Sequence, residues 1–233
     1  SSNMTSAIDQ VREFMEAGGP IMYLLALLSV LATTVFVSKL VQFQMLRLWG
    51  GGDRGEALRL WRSGQGSAAV ARLEGDGHPA AAIARYAMQL RLSGKLSDAE
   101  TREEVERVAG LFLDRLSSGL RLLSAIAMLS PLIGLLGTVI GMIDAFQALE
   151  EAGNKVDPSI LSGGIWVALL TTAAGLVVAI PATAAHQLLD GIVERAGRAM
   201  EDSATQVFTA APGIAEEHAP RRAPAAAVLQ GAE

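Results

Sequence analysis

Residues 122–143 read LLSAIAMLSPLIGLLGTVIGMI, a stretch with no charged side chain, closed by Arg121 on one side and Asp144 on the other. A helix needs about 20 apolar residues to cross a ~30 Å hydrocarbon core, so this stretch is a membrane span by length and composition. Working outward, two more such gaps appear. Ala17–Ser38, between Glu16 and Lys39, matches the first stretch in length, and Pro158–Leu189, between Asp157 and Asp190, is longer. The last of these exceeds a bilayer, so its ends should project beyond it. The N-terminal gap has an acidic leading flank (Asp9, Glu13 and Glu16 against Arg12) and too long an apolar run for a signal peptide, and reads as an uncleaved anchor.

Composition agrees. Of 233 residues 51% are hydrophobic and only 18% charged, where a soluble domain carries about a quarter. Cysteine is absent, which excludes disulfides and thiolate metal sites. The three histidines, His78, His186 and His218, lack metal-ligand spacing, so no metal or cofactor is expected. A formal charge of −5 gives no basic excess for nucleic acid. Gly64, Gly66 and Ala69 imitate a dinucleotide fingerprint, but no strand–helix unit surrounds them. Neither a P-loop nor a nucleophile–base pair in a plausible pocket is present, which argues against an enzyme.

Basic residues orient the chain. One precedes the first gap (Arg12) and one lies between the second and third (Lys155), whereas twelve fall in 43–121 and four follow Leu189. Basic loops stay in the cytoplasm, so the N-terminus is expected outside and the C-terminus inside. Lys39, at the inner end of the first span, is expected to snorkel to the headgroups. Between the first two spans, helical spacing marks short helices at 53–62, 67–74 and 79–92. Ser97 and Glu100 form a capping box for a further helix, expected to run unbroken into the second span as far as about Ala148. The Ala-, Pro- and Glu-rich tail from Ala210 should be disordered.

The second and third spans carry the informative pattern. Alternating steps of three and four from Ser124 give Ser124, Ala127, Pro131, Gly134, Thr138, Gly141, Ala145 and Ala148, all small or proline. The third span repeats it with Ala168, Thr172, Gly175, Ala179, Ala182 and then His186. In lipid, helices associate largely through close packing of small residues, so these stripes serve helix pairing, assembly with other copies, or enclosure of something else. Thr138 precedes Leu149, and Thr172 follows Ile160, by about three turns each, so both should sit roughly 15 Å below the outer surface. A lone threonine usually bonds its own helix; two at one depth suggest a polar ring in an assembly. Asp144 and His186 are read from position alone as a hydrated interfacial carboxylate and an interfacial histidine satisfied by water.

The strings Leu129–Ser130–Pro131–Leu132–Ile133–Gly134–Leu135–Leu136–Gly137–Thr138 and Ala168–Leu169–Leu170–Thr171–Thr172–Ala173–Ala174–Gly175, continuing through Ala179, Pro181 and Ala182, closely resemble the MotA/TolQ/ExbB proton-channel family, in its ExbB/TolQ branch. The resemblance implies an inner-membrane subunit of a proton-motive-force-driven motor that energises transport or envelope work at the outer membrane. It implies a homo-pentamer around transmembrane helices of an ExbD- or TolR-like single-span partner, which supplies an aspartate, and a TonB- or TolA-like protein beyond it. Thr138 and Thr172 match the family threonines that face that aspartate, with Thr171 beside them. The small residues, Gly137 included, become pore lining, and on the same resemblance Asp144 becomes a funnel for incoming protons and His186 a cytoplasmic exit group. Where most ExbB and TolQ sequences carry glutamate, four residues before Thr171, this chain has Val167. A non-conducting oligomeric scaffold is the alternative.

The expected architecture is thus all-α: a polytopic membrane protein with three transmembrane helices and a helical cytoplasmic domain into which the second helix extends. Its expected parts are a periplasmic segment 1–16, spans 17–42, 122–148 and 161–189, a cytoplasmic domain 43–121, a periplasmic link 149–160, a helical extension 190–209 and a tail 210–233.

Overall fold

The computed structural model describes residues 2–50, 52–153 and 157–210, with side chains described for all of these except 2–8, 10 and 11. Among them every regular element is helical: α1 (Ser2–Met45), α2 (Arg54–Arg62), α3 (Gly66–Arg72), α4 (Pro79–Ser93), α5 (Asp98–Ser117), α6 (Leu120–Ala152) and α7 (Pro158–Thr209). Lys155 and the tail from 211 onward lie outside the described residues. The described residues divide into two compact units, one of 2–42 with 117–192 and one of 43–116 with 193–210.

The first unit contains the three uncharged gaps, each within a helix long and apolar enough to cross a membrane. Its outer surface is apolar: Leu27, Val30, Leu132, Leu169, Val177 and Ile180 are all exposed. Its interior combines small and polar side chains, Ala32, Ser130, Ala145, Ala168, Thr171, Ala179 and Ala182, with the large aliphatic groups of Leu25, Leu123, Ile126 and Leu189. The small residues suit a hydrocarbon solvent, where they let helix backbones approach closely. The N-terminal segment is helical from residue 2, and α1 kinks at Gly19 (φ 63°), where the missing Cβ permits a left-handed backbone. Pro20 follows, its fixed φ suited to restarting a helix.

The helix expected to run unbroken from Ser97 to Ala148 is instead two helices in tandem. Gly119, at φ 82°, breaks the ladder between α5 and α6. A Cβ at Gly119 would lie 3.4 Å from Val35 Cγ1 and 3.6 Å from Lys39 Cε, so α1 packs directly against the break. Lys39 does not reach outward to headgroups. It is 5% exposed, and its ammonium donates to Gln42 Oε1 at 2.8 Å and to Ser118 Oγ at 3.1 Å. Hydrogen-bonding groups at the break satisfy the charge inside the unit, which removes the reason to snorkel. The third helix continues without interruption from Pro158 to Thr209.

The second unit has a conventional apolar core around Trp61, Leu73, Ile83, Met88, Val105, Met200 and Val207. The Trp61 indole N–H donates to the Val207 carbonyl at 3.0 Å, and Arg91 Nη1 donates to the same oxygen at 2.9 Å. Both donors serve one of the last carbonyls of α7, which the helix itself leaves unpaired. Arg102 stacks 4.5 Å from the Phe208 ring centroid, a cation–π contact at the same end. At the start of α5, the Ser97 amide donates to Glu100 Oε2 at 2.8 Å and Ser97 Oγ accepts from the Glu100 amide at 3.3 Å, the reciprocal capping box.

Candidate functional site: the seam between α6 and α7

Helices α6 and α7 run antiparallel at backbone contact. A Cβ added at Gly134 would lie 2.8 Å from the Thr171 carbonyl oxygen and 3.2 Å from the Cα atoms of Thr172 and Gly175. One at Gly175 would lie 2.6 Å from the Ser130 carbonyl oxygen and 3.1 Å from Gly134 Cα. One at Gly137 would meet Thr171 Oγ1 at 2.5 Å, and Gly164 faces Ala145 and the Gly141 carbonyl. The seam is therefore Ser130, Gly134, Gly137, Gly141 and Ala145 against Gly164, Ala168, Thr171 and Gly175. Buried Ala179 and Ala182 continue it along α7.

The stripe read from Ser124 divides on this geometry. Gly134, Gly141 and Ala145 are buried, whereas Ser124 is exposed and Ala127, Pro131, Thr138 and Ala148 are half-buried. Helix α6 thus carries a slim face filled by α7 and, beside it, a slim stripe of Ser124, Ala127, Pro131 and Thr138 that the described residues cover only in part. On α7, Ala168, Gly175, Ala179 and Ala182 are buried, Val167 and Thr172 half-buried and Pro181 exposed. Sequence periodicity missed Ser130 and Gly164 as seam residues. The signal was there in the small residues at steps of four, three and four from Ser130 to Gly141, hidden by the adjacent Pro131.

The hydroxyls are spoken for, but differently. Ser130 Oγ donates to the Ile126 carbonyl at 2.7 Å, Thr171 Oγ1 to Ala168 at 2.9 Å and Thr138 Oγ1 to Leu135 at 2.6 Å, each within its own helix. Thr172 Oγ1 crosses instead to the Gly134 carbonyl on α6, at 3.4 Å. Gly134 is one turn from Thr138, so the two threonines sit within about 6 Å of each other along the helix axes. A hydroxyl that donates to a carbonyl keeps lone pairs for a further donor, which lets both threonines receive a proton-bearing group.

The other expected residues lie apart. Asp144 is exposed, about two turns along α6 from Thr138, and His186 is half-buried, about four turns along α7 from Thr172. His186 lines a cavity of about 270 Å³ with Ser124, Ala127, Met128, Thr183 and Gln187. No cluster of three or more His, Asp or Glu side chains suited to a metal occurs among the described residues. On α6 no ionisable group lies between Arg121 and Asp144, and on α7 none lies between Asp157 and His186.

Comparison with known proteins places the chain in a family. The sequence model of the MotA/TolQ/ExbB proton channel family matches residues 76–202. Biopolymer transport protein exbB1 of Vibrio cholerae is 42% identical over 106 residues, 44% of this chain and 46% of that protein. The chain thus spans about half the length of that relative. Biopolymer transport protein ExbB of Salmonella typhimurium is 30% identical over 197 residues, 79% of this chain and 77% of the relative. The Tol-Pal system protein TolQ of Haemophilus influenzae is 40% identical over 77 residues, 33% of each chain. With its paired small-residue spans inside the matched region, this chain belongs to the MotA/TolQ/ExbB proton channel family, in the ExbB/TolQ branch.

Proposed function

We propose that the chain is the channel-forming subunit of an ion-driven motor in a bacterial inner membrane. Several copies, five by resemblance, surround transmembrane helices of an ExbD- or TolR-like single-span partner. Proton flow through this assembly energises a TonB- or TolA-like protein that works at the outer membrane. The observation that supports the reading is the partly covered slim stripe of α6, bearing Ser124, Ala127, Pro131 and Thr138, next to Thr172. It lies beside the seam with α7, and on this reading a partner helix completes its cover.

In the proposed mechanism the partner's carboxyl is the moving group. A charged carboxylate in hydrocarbon costs several kcal/mol, so it passes the apolar wall as the neutral acid. At the level of Thr138 and Thr172 the hydroxyls accept from it while it is protonated, and turn from the Leu135 and Gly134 carbonyls to donate to it as it ionises. Thr171, buried and bonded within its own helix, sets the spacing of the seam. Asp144 stands toward the proton-entry side. The weight of basic residues in 43–121 supports a cytoplasmic position for that segment and a periplasmic one for the N-terminus.

The test is a Thr138→Ala, Thr172→Ala double change in vesicles that contain the full chain and its single-span partner. Partner-dependent proton uptake should fall to background with the assembly still co-purifying. Unchanged uptake would sink the reading. One observation favours a second possibility: Val167 stands where the family acid is expected, as suits a scaffold that holds partners without conducting. That scaffold would show no partner-dependent uptake even before mutation.

A further inference from the structure

Helices α6 and α7 are antiparallel, and each places a polar group the same distance from its midplane threonine. Ser124 lies about four turns before Thr138 on α6, and His186 about four turns after Thr172 on α7. Whole turns return a helix to the same face, so Ser124 and His186 share the faces of the threonines, about 21 Å away. Thr183, about three turns beyond Thr172, shares that face as well. These groups meet in the cavity of about 270 Å³ that Ala127, Met128 and Gln187 complete.

The cavity is rich in acceptors. Thr183 Oγ1 donates to the Ala179 carbonyl at 2.8 Å, leaving its lone pairs to accept. Pro131 has no N–H to give the Ala127 carbonyl four residues earlier, so that carbonyl lacks its helical donor. Together with the Ser124 hydroxyl, the Gln187 amide and the His186 imidazole they give bound water the several polar partners it needs. On the way from this cavity to the threonines, the same faces carry Pro131 and Gly134 on α6 and Gly175 and Ala179 on α7, with no side chain that could take a proton.

We propose that this cavity is the proton-release station of the channel, a hydrated pocket in which His186 takes the proton from the carrier carboxyl and hands it to bulk water. The inference rests on the function proposed above. The step balances: at the threonines the carrier acid gives its proton to a chain of pore water and becomes a carboxylate, that chain, spanning about 21 Å to the cavity, delivers a proton to the neutral imidazole, which becomes imidazolium, and the imidazolium then gives the proton to the aqueous phase. Histidine suits the task because one ring nitrogen of the neutral imidazole can accept a proton while the other can release one. The charged side chains at this depth are Arg121 on α6, Asp190 on α7 and, from α1, Lys39, whose ammonium is held by Gln42 and Ser118.

The experiment uses vesicles of the full chain with its ExbD-like subunit. His186→Gln should slow proton flux about tenfold, the scale of a lost proton-transfer group, without changing the co-purified subunit ratio. Imidazole added on the side bearing residues 43–121 should restore part of the flux. If Gln at 186 disturbs assembly, Thr183→Val with Ser124→Ala dries the same cavity and carries the same expectation. Full flux in the His186 variant, or a loss that imidazole fails to rescue, overturns the release station. In either case the Thr138, Thr172 double change still blocking flux would leave the channel reading standing. Flux insensitive to the threonines would overturn both.

Discussion

The Lys39 ammonium and the Ser118 hydroxyl, 79 residues apart in sequence, meet at 3.1 Å beside the break between α5 and α6. The pair joins α1 to the point where the chain turns at Gly119. A positive charge beside the C-terminal end of a helix is favoured by the helix dipole, and Lys39 stands next to the end of α5. Replacing Lys39 with Met keeps the aliphatic stem but removes a charged donor, a loss of about 1.5–3 kcal/mol by the usual worth of such bonds. Amide exchange at residues 118–120, followed in lipid discs, should accelerate in Lys39→Met and recover toward the original rate in Lys39→Arg. Identical exchange in all three proteins would mean that Lys39 does not hold the turn.

Backbone contact across the α6–α7 seam makes a sharper prediction. An added methyl at Gly134 or Gly175 meets backbone atoms, which cannot rotate away, whereas Gly163 and Gly110 have nothing within 4 Å of an added Cβ. Gly134→Ala and Gly175→Ala should each destabilise by about 1–3 kcal/mol through overpacking. Gly110→Ala, exposed on α5, should instead stabilise by about 0.5–1 kcal/mol, since alanine loses less backbone freedom in a helix. Thermal unfolding in detergent, measured for the three variants side by side, separates the two behaviours by sign.

How much of this was legible beforehand depends on the kind of constraint. The three spans stood out because an isolated charge in hydrocarbon is expensive, so gaps between charges map directly onto the bilayer. The Ser97–Glu100 cap was equally plain, being a local exchange of hydrogen bonds. Gly119 was not, because a glycine on a helix face reads as one more small residue until Val35 and Lys39 are seen packed against it. Lys39 misled for the same reason: snorkelling is the default for a terminal lysine, and only the distant Ser118 reveals the inward alternative. The stripe of Gly134, Thr138 and Gly141 mixed two faces, because small residues serve both a helix neighbour and a partly covered surface and periodicity cannot divide them.

His78 gives the second unit a pH dependence. It caps α4, its Nδ1 accepting from the Ala80 amide at 3.1 Å while its own backbone N–H donates to Asp76 Oδ1 at 3.0 Å. Burial holds the imidazole below its ordinary value of 6.5, with the Arg54 charge adding to the effect and Asp76 opposing it. The unfolded chain therefore binds more protons than the folded one in this window, and stability rises with pH. The contribution is complete above about pH 6.5 and is lost as pH falls through that value toward the depressed one. Acidification from about pH 7.5 to about 5.5, a range that brackets the ordinary imidazole value, should lower the protection of the Ala80–Ala82 amides relative to their intrinsic exchange rates. His78→Asn, a cap that does not titrate, should flatten the profile. Equal pH profiles for the two proteins would dissociate the cap from the titration.

Val167 offers the most direct probe of conduction. It is half-buried on α7, four residues before Thr171 and thus one turn from the threonine pair. Val167→Glu introduces the only ionisable side chain between Asp157 and His186 on that helix. Glutamate favours a helix more than the β-branched valine does, so the backbone has no reason to change. At this depth the new group should stay protonated when unpaired, which preserves assembly, and should exchange protons with a carboxyl that passes Thr172. The expected outcome is an altered proton flux, with co-purification of the subunits unchanged, in vesicles containing the partner. The flux change should vanish in Val167→Gln, which matches glutamate in size and hydrogen-bonding capacity but cannot ionise. Equal fluxes for Val, Glu and Gln at 167 would show that the position has no conductive role, whereas equal changes for Glu and Gln would assign the effect to packing against the neighbouring turn.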